Sequence, residues 1–498
     1  MNIALVYPDF VISRRSPGSN KFNVVKGGWY SEGLASLSSV LKEKGHRVSL
    51  IHLTEPIKKE DFKSRLKDIN PEIVGFTART SAFLYICDYL KWTKEANPSS
   101  ITILGGCHPS ISPDESITAE GADFVCVGEG EGAFVDLADS LNTGQSFDNI
   151  SNLLIKKNNQ VIKNPPRNLI FPLDSLPFPD FELFDYMRLI STQIKVATTM
   201  ISRGCPYDCA YCCNHKIKEV YPDPEHYTRF RSPINAVLYL KKLLSINPWI
   251  SSFRFLDNIF GIKEKWLEEF SYTYKKEINL PFSCDHRPNL ANLKILDLLK
   301  EAGCYQIYFG VETGNEELRK NILSRNMTNI QIEEAFNNCR KLGIKTLAYN
   351  IVGLPKETPA KTLETIKLNA EIKPDSMVVN IFTPYPFTKL YEICLNNHFI
   401  ADKIDYKEDV FINQPDFSKK EVLFLSLYFK LFTRLYSLNE RLWPLMDRII
   451  LWKYLPKNTL IFLMKRWDSF NNWLKDSLRK RMPSIYIFTR KRIRRIKS

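Results

Sequence analysis

Three cysteines, Cys205, Cys209 and Cys212, stand in the run Arg203-Gly-Cys-Pro-Tyr-Asp-Cys-Ala-Tyr-Cys212, a C-x3-C-x2-C spacing. One loop therefore offers three thiolates and no evident fourth. A structural zinc ion asks for four ligands in closed tetrahedral geometry. A [4Fe–4S] cluster held by three cysteines keeps one iron open, and an open metal position is a place for chemistry. A zinc knuckle, or three unrelated core thiols, is the plain alternative. Cys213 is read as a neighbour of this set, because three thiols already complete it.

Such a loop needs a scaffold, and the chain supplies two βα alternations. In the first, strand-like runs at 3–7, 47–51, 73–77, 101–104 and 124–127 alternate with amphipathic segments such as 34–44. Strands separated by helices imply a parallel, doubly wound, Rossmann-like α/β sheet, and such sheets bind ligands at the carboxyl ends of their strands. Small or polar loops fall at those ends: Thr77-Ala-Arg-Thr80, Gly105-Gly-Cys-His-Pro109 and Gly128-Glu-Gly-Glu-Gly132. Glycines there let the backbone approach a large flat ligand, although any tight βα turn also uses them.

The second alternation has strand-like runs at 196–201, 252–256, 280–284, 306–310, 346–352 and 377–382, a partial (β/α)6 barrel. Active sites of parallel barrels lie at the C-terminal strand ends. The cysteine loop follows the first of these strands, and two others end in Asp257-Asn258 and in Glu312. A carboxylate there accepts from an ammonium or from hydroxyls; a capping or turn role is the alternative for each acid taken singly. Cys284 and Arg287 are read as facing the barrel interior or, for the cysteine, as core.

An aromatic, Tyr211, precedes the last cysteine, and C-x3-C-x-aromatic-C is the motif of the radical S-adenosylmethionine (SAM) superfamily. With Gly105-Gly-Cys-His-Pro-Ser110 and Gly128-Glu-Gly-Glu131 ahead of it, residues 1 to about 395 resemble radical SAM enzymes whose barrel follows a cobalamin-binding domain. The resemblance implies a [4Fe–4S] cluster on Cys205, Cys209 and Cys212, and reductive cleavage of SAM to a 5′-deoxyadenosyl radical. It implies SAM contacts at Tyr211, Asp257, Asn258, Glu312 and Val352, and cobalamin contacts at Thr77, Gly105, Gly106, His108, Gly128 and Glu129. His108 lacks the D-x-H-x-x-G context of a cobalt-ligating histidine, so the resemblance implies cobalamin without one; a domain that has lost cobalamin is the alternative. The chain departs from the family's pattern at two positions: many relatives have a second acid where Asn258 stands, and they usually have glycine where Phe387 stands. The function implied is methylation of an unactivated carbon of a small-molecule or lipid substrate, with flavodoxin or ferredoxin as electron donor. A non-methylating cyclase or oxidoreductase is the second reading, and a nucleic-acid-binding protein with a structural metal the third.

The expected domains are 1–148 (cobalamin-binding), 149–190 (a proline-rich linker), 191–400 (the barrel) and 401–498 (helical, ending in a basic tail). Eleven cysteines, mostly scattered singly, suggest buried thiols in a reducing cytoplasm. The start lacks the features of a signal peptide, and no apolar run reaches the ~20 residues of a membrane span. Residues 475–498 hold ten Lys or Arg and one acid, so they carry +9 of the formal +14. A tail of this kind binds nucleic acid or the anionic inner face of a membrane, or is simply solvated.

Overall fold

The computed structural model describes residues 1–10, 28–158, 160–401, 404 and 408–481, with side chains to 469. The first sheet has the order β2-β1-β3-β4-β5-β6-β7. Its strands are β1 (Asn2–Pro8), β2 (Arg47–Leu53), β3 (Ile73–Thr77), β4 (Ile101–Gly105), β5 (Phe124–Cys126), β6 (Leu153–Lys157) and β7 (Gln160–Lys163). The first five are parallel, and their apolar runs are continuous because both faces are covered. Ile3 and Leu5 pack into one core and Ala4 and Val6 into the other, the period of two that a strand imposes. β6 and β7 join antiparallel at the edge. They lie inside the stretch expected to be a linker, so the first sheet reaches Lys163; the prolines that suggested a linker begin only at Pro165.

After β8 (Val196–Thr199), a two-stranded ribbon brackets the cysteine loop: β9 (Ser202–Arg203), just before it, pairs antiparallel with β10 (Arg229–Phe230), beyond it. The second sheet is parallel throughout, in the order β15-β14-β13-β12-β11-β8. It comprises β8, β11 (Ser252–Phe255), β12 (Phe282–His286), β13 (Cys304–Glu312), β14 (Lys345–Val352) and β15 (Ser376–Ile381). Phe253, Phe255, Phe282, Cys284 and Phe309 point outward into the helical layer. Cys284 lies 3.9 Å from the Cys304 sulfur and is core, which settles its open reading. Beyond the barrel, helices Lys419–Tyr436, Trp443–Leu451 and Lys457–Arg481 make the C-terminal region helical, as expected, and form a cap on which Val422, Phe424 and Phe429 bury one face. The basic tail from 482 onward lies outside the described residues. Among the described residues no helix is long and apolar enough to cross a membrane.

Glu32, at the start of the first helix (Glu32–Glu43), crosses to the barrel and accepts 3.0 Å hydrogen bonds from the Tyr239 hydroxyl. Burial pushes its carboxyl from the ordinary 4.5 up to about 7. Between those values the unfolded chain releases a proton that the folded chain keeps, so this group lowers stability as pH rises through the window. Glu32→Gln carries no such penalty. Its urea midpoint should climb relative to the natural chain's from pH about 4.5 to pH about 7, and a pH-independent offset would refute the buried acid.

Candidate active site at the cysteine loop

The loop's conformation depends on Gly204, at φ +82°, where a Cβ would stand 2.0 Å from the Tyr227 carbonyl oxygen. Gly204→Ala is expected to cost more than the about 1–2 kcal/mol of the left-handed conformation alone, and to lower iron retained after reconstitution. Wild-type iron content and stability in that variant would show the loop adapts.

Cys209 is buried, and Cys205 and Cys212 are half-buried. The Cys209 sulfur accepts from two guanidiniums, Arg287 Nη1 at 3.7 Å and Arg325 Nη1 at 3.6 Å. The Arg287 guanidinium carbon lies over the Tyr207 ring, 3.8 Å from its centre. The Cys212 sulfur accepts from Asn214 Nδ2 at 3.5 Å. Cys213, which hydrogen-bonds both Cys107 and Cys212, and then Asn214 hold the Cys212 thiol down to about 6. Cys107 belongs to the Gly105-Gly-Cys-His loop of the first domain, so that contact joins the two domains.

Among the described residues no three His, Cys, Asp or Glu converge on a single-ion site. Orphaned groups border the loop: buried Asp257 Oδ2 and Arg325 Nε have no hydrogen-bond partner among the described residues. The donors, positive charge and unpaired groups suit an anionic cluster with a ligand beside it.

The residues expected to hold SAM divide into two sets. Tyr211 donates to Glu312 Oε1 at 2.9 Å, and Arg325 reaches both Tyr211 Oη (3.2 Å) and the Gly310 carbonyl (2.6 Å). Glu312 has φ +64°, a strained conformation for a side-chain-bearing residue, and burial raises its carboxyl pKa. Asp257 faces the loop from below: its Oδ1 accepts from Ile201 N (3.1 Å) and from the Ser202 hydroxyl. Asn258, more exposed, donates to the Gly204 carbonyl at 3.1 Å. Val352 is buried, and the next residue, Gly353, turns at φ +82° against Val422 of the C-terminal cap. Glu357 fixes that turn by accepting from Gly353 N and Leu354 N at 2.7 and 2.9 Å.

On the first domain, Thr77, Gly105, Gly106 and Gly128 lie together at the C-terminal sheet edge. Gly106 (φ +102°) brings the loop within 3.1 Å of the Ala78 backbone as measured from a Cβ position, while a Cβ on Gly105 would meet nothing nearer than 3.9 Å. His108 turns inward, against the Phe83 ring at 4.1 Å, and burial lowers its imidazole to about 4. Gly128 is covered instead, since a Cβ there would stand 2.7 Å from the Tyr221 hydroxyl. Open backbone at this edge is therefore Gly105, and His108 faces away from it, which fits a corrin held without imidazole on cobalt. Glu129 is occupied otherwise: it accepts from Arg203 Nη1 (2.9 Å), from both terminal nitrogens of Arg229 (2.9 and 3.0 Å) and from Ile170 N (3.1 Å). Arg203 also binds Glu131 at 2.5 Å.

The barrel interior carries residues that reading of the sequence missed. Arg254 pairs with Asp285 at 2.5 Å and lies 3.8 Å over the Tyr308 ring, and Tyr308 stacks on Tyr349 at 6.1 Å. They alternate with the outward phenylalanines, so strand period was the available signal. Arg325, from a turn after β13, carried none. Phe387, half exposed, has φ +61°, a conformation that glycine adopts without strain.

The sequence matches the radical SAM superfamily over residues 199–368 and the B12 binding domain over residues 22–138. It is 30% identical over 372 residues to an uncharacterized methyltransferase, PH0819, of Pyrococcus horikoshii, covering 74% of this chain and 79% of that one. It is 26% identical over 428 residues to the anaerobic magnesium-protoporphyrin IX monomethyl ester cyclase of Rubrivivax gelatinosus, covering 84% and 74%. In fold it resembles TsrM from Kitasatospora setae, a radical S-adenosylmethionine methyltransferase with cobalamin and a [4Fe-4S] cluster bound, with TM-score 0.64 at 17% identity over 81% of this chain and 77% of that one. With its three-cysteine loop set against the glycine-lined edge of a B12-type sheet, the chain belongs to the cobalamin-dependent radical SAM methylase family.

Proposed function

We propose that the protein methylates an unactivated carbon of a small-molecule or lipid substrate held in the barrel. One observation carries this reading: Arg203, two residues before the first cluster cysteine, is ion-paired to Glu129 and Glu131 of the cobalamin-type domain, so the two cofactor sites share one junction. When bound, the cluster supplies the electron that cleaves SAM and cobalamin supplies a methyl carrier.

The chain's own residues do the positioning. Cys205, Cys209 and Cys212 hold the cluster, and Arg287 and Arg325 place positive charge at the Cys209 sulfur. Hydrogen bonds and charge at cluster sulfurs raise the reduction potential. Tyr211, Glu312 and the Gly353 turn shape the SAM side, with Asn258 at the rim and Asp257 bracing the loop. Thr77, Gly105, Gly106 and Gly128 line the corrin side. Arg254, Asp285, Tyr308 and Tyr349 offer a substrate an ion pair and two ring faces. The setting we propose is cytoplasmic, with flavodoxin or ferredoxin as electron donor.

Similarity to the cyclase favours a second, non-methylating reading. Anaerobic turnover of SAM by reconstituted protein, with and without cobalamin, separates the two. S-adenosylhomocysteine with 5′-deoxyadenosine supports methyl transfer. Deoxyadenosine alone, with substrate present, supports the cyclase-like reading.

A further inference from the structure

The helical cap has a second apolar face that the fold does not use. An amphipathic helix needs one apolar stripe to join a core, and here that stripe is spent: Val422, Phe429, Tyr436, Ile450 and Ile461 are buried against the barrel side. Yet Leu445, Ile449 and Trp452, spaced i, i+4, i+7, are each more than half exposed, at 56, 52 and 55%. The turn that follows exposes Tyr454 at 76%, and the next helix exposes Phe462 at 57%. Large apolar side chains gathered outward within one helix–turn–helix mark a contact surface rather than solvent-facing chance.

Charge says what the surface contacts. Residues 430–469 hold eight Lys or Arg against three acids. Among the described residues Arg441, Arg448 and Lys453 sit beside the apolar face and form no ion pair, whereas Asp447 of the same helix turns inward to Lys367 (2.7 Å) and the Tyr436 hydroxyl (2.5 Å). The last described helix, Lys457–Arg481, leads into the sequence that carries most of the +9 of residues 475–498. Tryptophan and tyrosine with interleaved arginine and lysine, above a leucine and isoleucine stripe, is the composition of a helix lying in a membrane interface. A protein partner would require an acidic surface with apolar pockets at matching spacing; an anionic bilayer supplies both charge and apolar depth without one.

We infer that the face formed by Leu445, Ile449, Trp452, Tyr454 and Phe462, flanked by Arg448 and Lys453, docks the enzyme on the surface of an anionic lipid bilayer. This inference is independent of which chemistry the barrel performs. Docking there would hold the barrel next to the membrane, where an amphiphilic substrate concentrates.

The test is co-sedimentation of the full chain with vesicles of phosphatidylcholine alone or mixed with phosphatidylglycerol. The natural chain should partition onto the phosphatidylglycerol vesicles and much less onto neutral ones. Trp452→Glu/Phe462→Glu and Arg448→Glu/Lys453→Glu should each lower partitioning by about tenfold or more, since each charge near such a surface is worth about 1 kcal/mol. Both variants should cleave SAM as the natural chain does, which separates this result from failure of the catalytic reading. Sedimentation unchanged by Trp452→Glu/Phe462→Glu, or equal on neutral vesicles, overturns the inference. So does a chain that ignores vesicles; if light scattering then shows a dimer that the same variant dissociates, the face is an interface between two copies.

Discussion

Alanine at Cys205, Cys209 or Cys212 should leave a protein without iron–sulfur absorbance and without SAM cleavage, while Cys213→Ala keeps both. The loss should exceed the about 10–100-fold that changes outside a metal's ligand shell produce. Cys209→Ala should do more than remove a ligand. Its sulfur is the acceptor that Arg287 and Arg325 share, and without it the carboxylate that offsets these two buried guanidiniums among the described residues is Glu312, 4.0 Å from Arg325. Its metal-free form should therefore be less stable than that of Cys205→Ala or Cys212→Ala. Cys213 lies beside Cys107 and Cys212, and the C-x3-C-x2-C set is complete without it. Iron content and absorbance after anaerobic reconstitution decide the matter. Turnover surviving in any of the first three, or a cluster lost from Cys213→Ala, would break the assignment.

The two sheets were legible because strands that alternate with helices must pair in parallel; the order of the strands was not. Buried parallel strands read as short apolar runs, and 73–77 or 346–352 resemble nothing else. The cysteines were legible because a cluster loop is local in sequence. What was not legible is the contact between domains, which no spacing encodes. Glu129 looked like a ligand-loop acid because it stands between two glycines; only the fold shows Arg203 and Arg229 closing on it from 74 and 100 residues away. His108 is a similar case: its place in a glycine-rich loop suggested a ligand contact, and the direction of its side chain, toward Phe83, is set by packing that no spacing encodes. The linker reading came from prolines, and prolines do not report the β6–β7 hairpin that precedes them.

Glu129→Gln should destabilise the chain by about 3–5 kcal/mol with no cofactor present, the cost of leaving a buried charge without its partner. β9 and β10 set Arg203 directly opposite Arg229, and like charges directly opposite on a ribbon repel. Glu129 accepts from both and is itself 14% exposed, so its carboxylate is what makes the ribbon tenable. Burial alone would raise that carboxyl, but Arg203 and Arg229 more than compensate and hold its pKa below the ordinary value. A lowered folded-state pKa gives stability that is present above the ordinary value of 4.5 and lost as pH falls through the lowered one. The gap between natural chain and variant should accordingly be full near neutrality and shrink on acidification below about pH 4.5. Urea unfolding of the cofactor-free protein across that range measures it, and Arg203→Ala alone and in combination supplies the coupling energy. If Glu129→Gln unfolds as the natural chain does and only cobalamin retention drops, Glu129 is a cofactor ligand after all. If stability falls before any cofactor is added, the residue's work is to fix the cluster loop against the cobalamin-type domain, and the distance between the two cofactors is set by an ion pair rather than by either ligand.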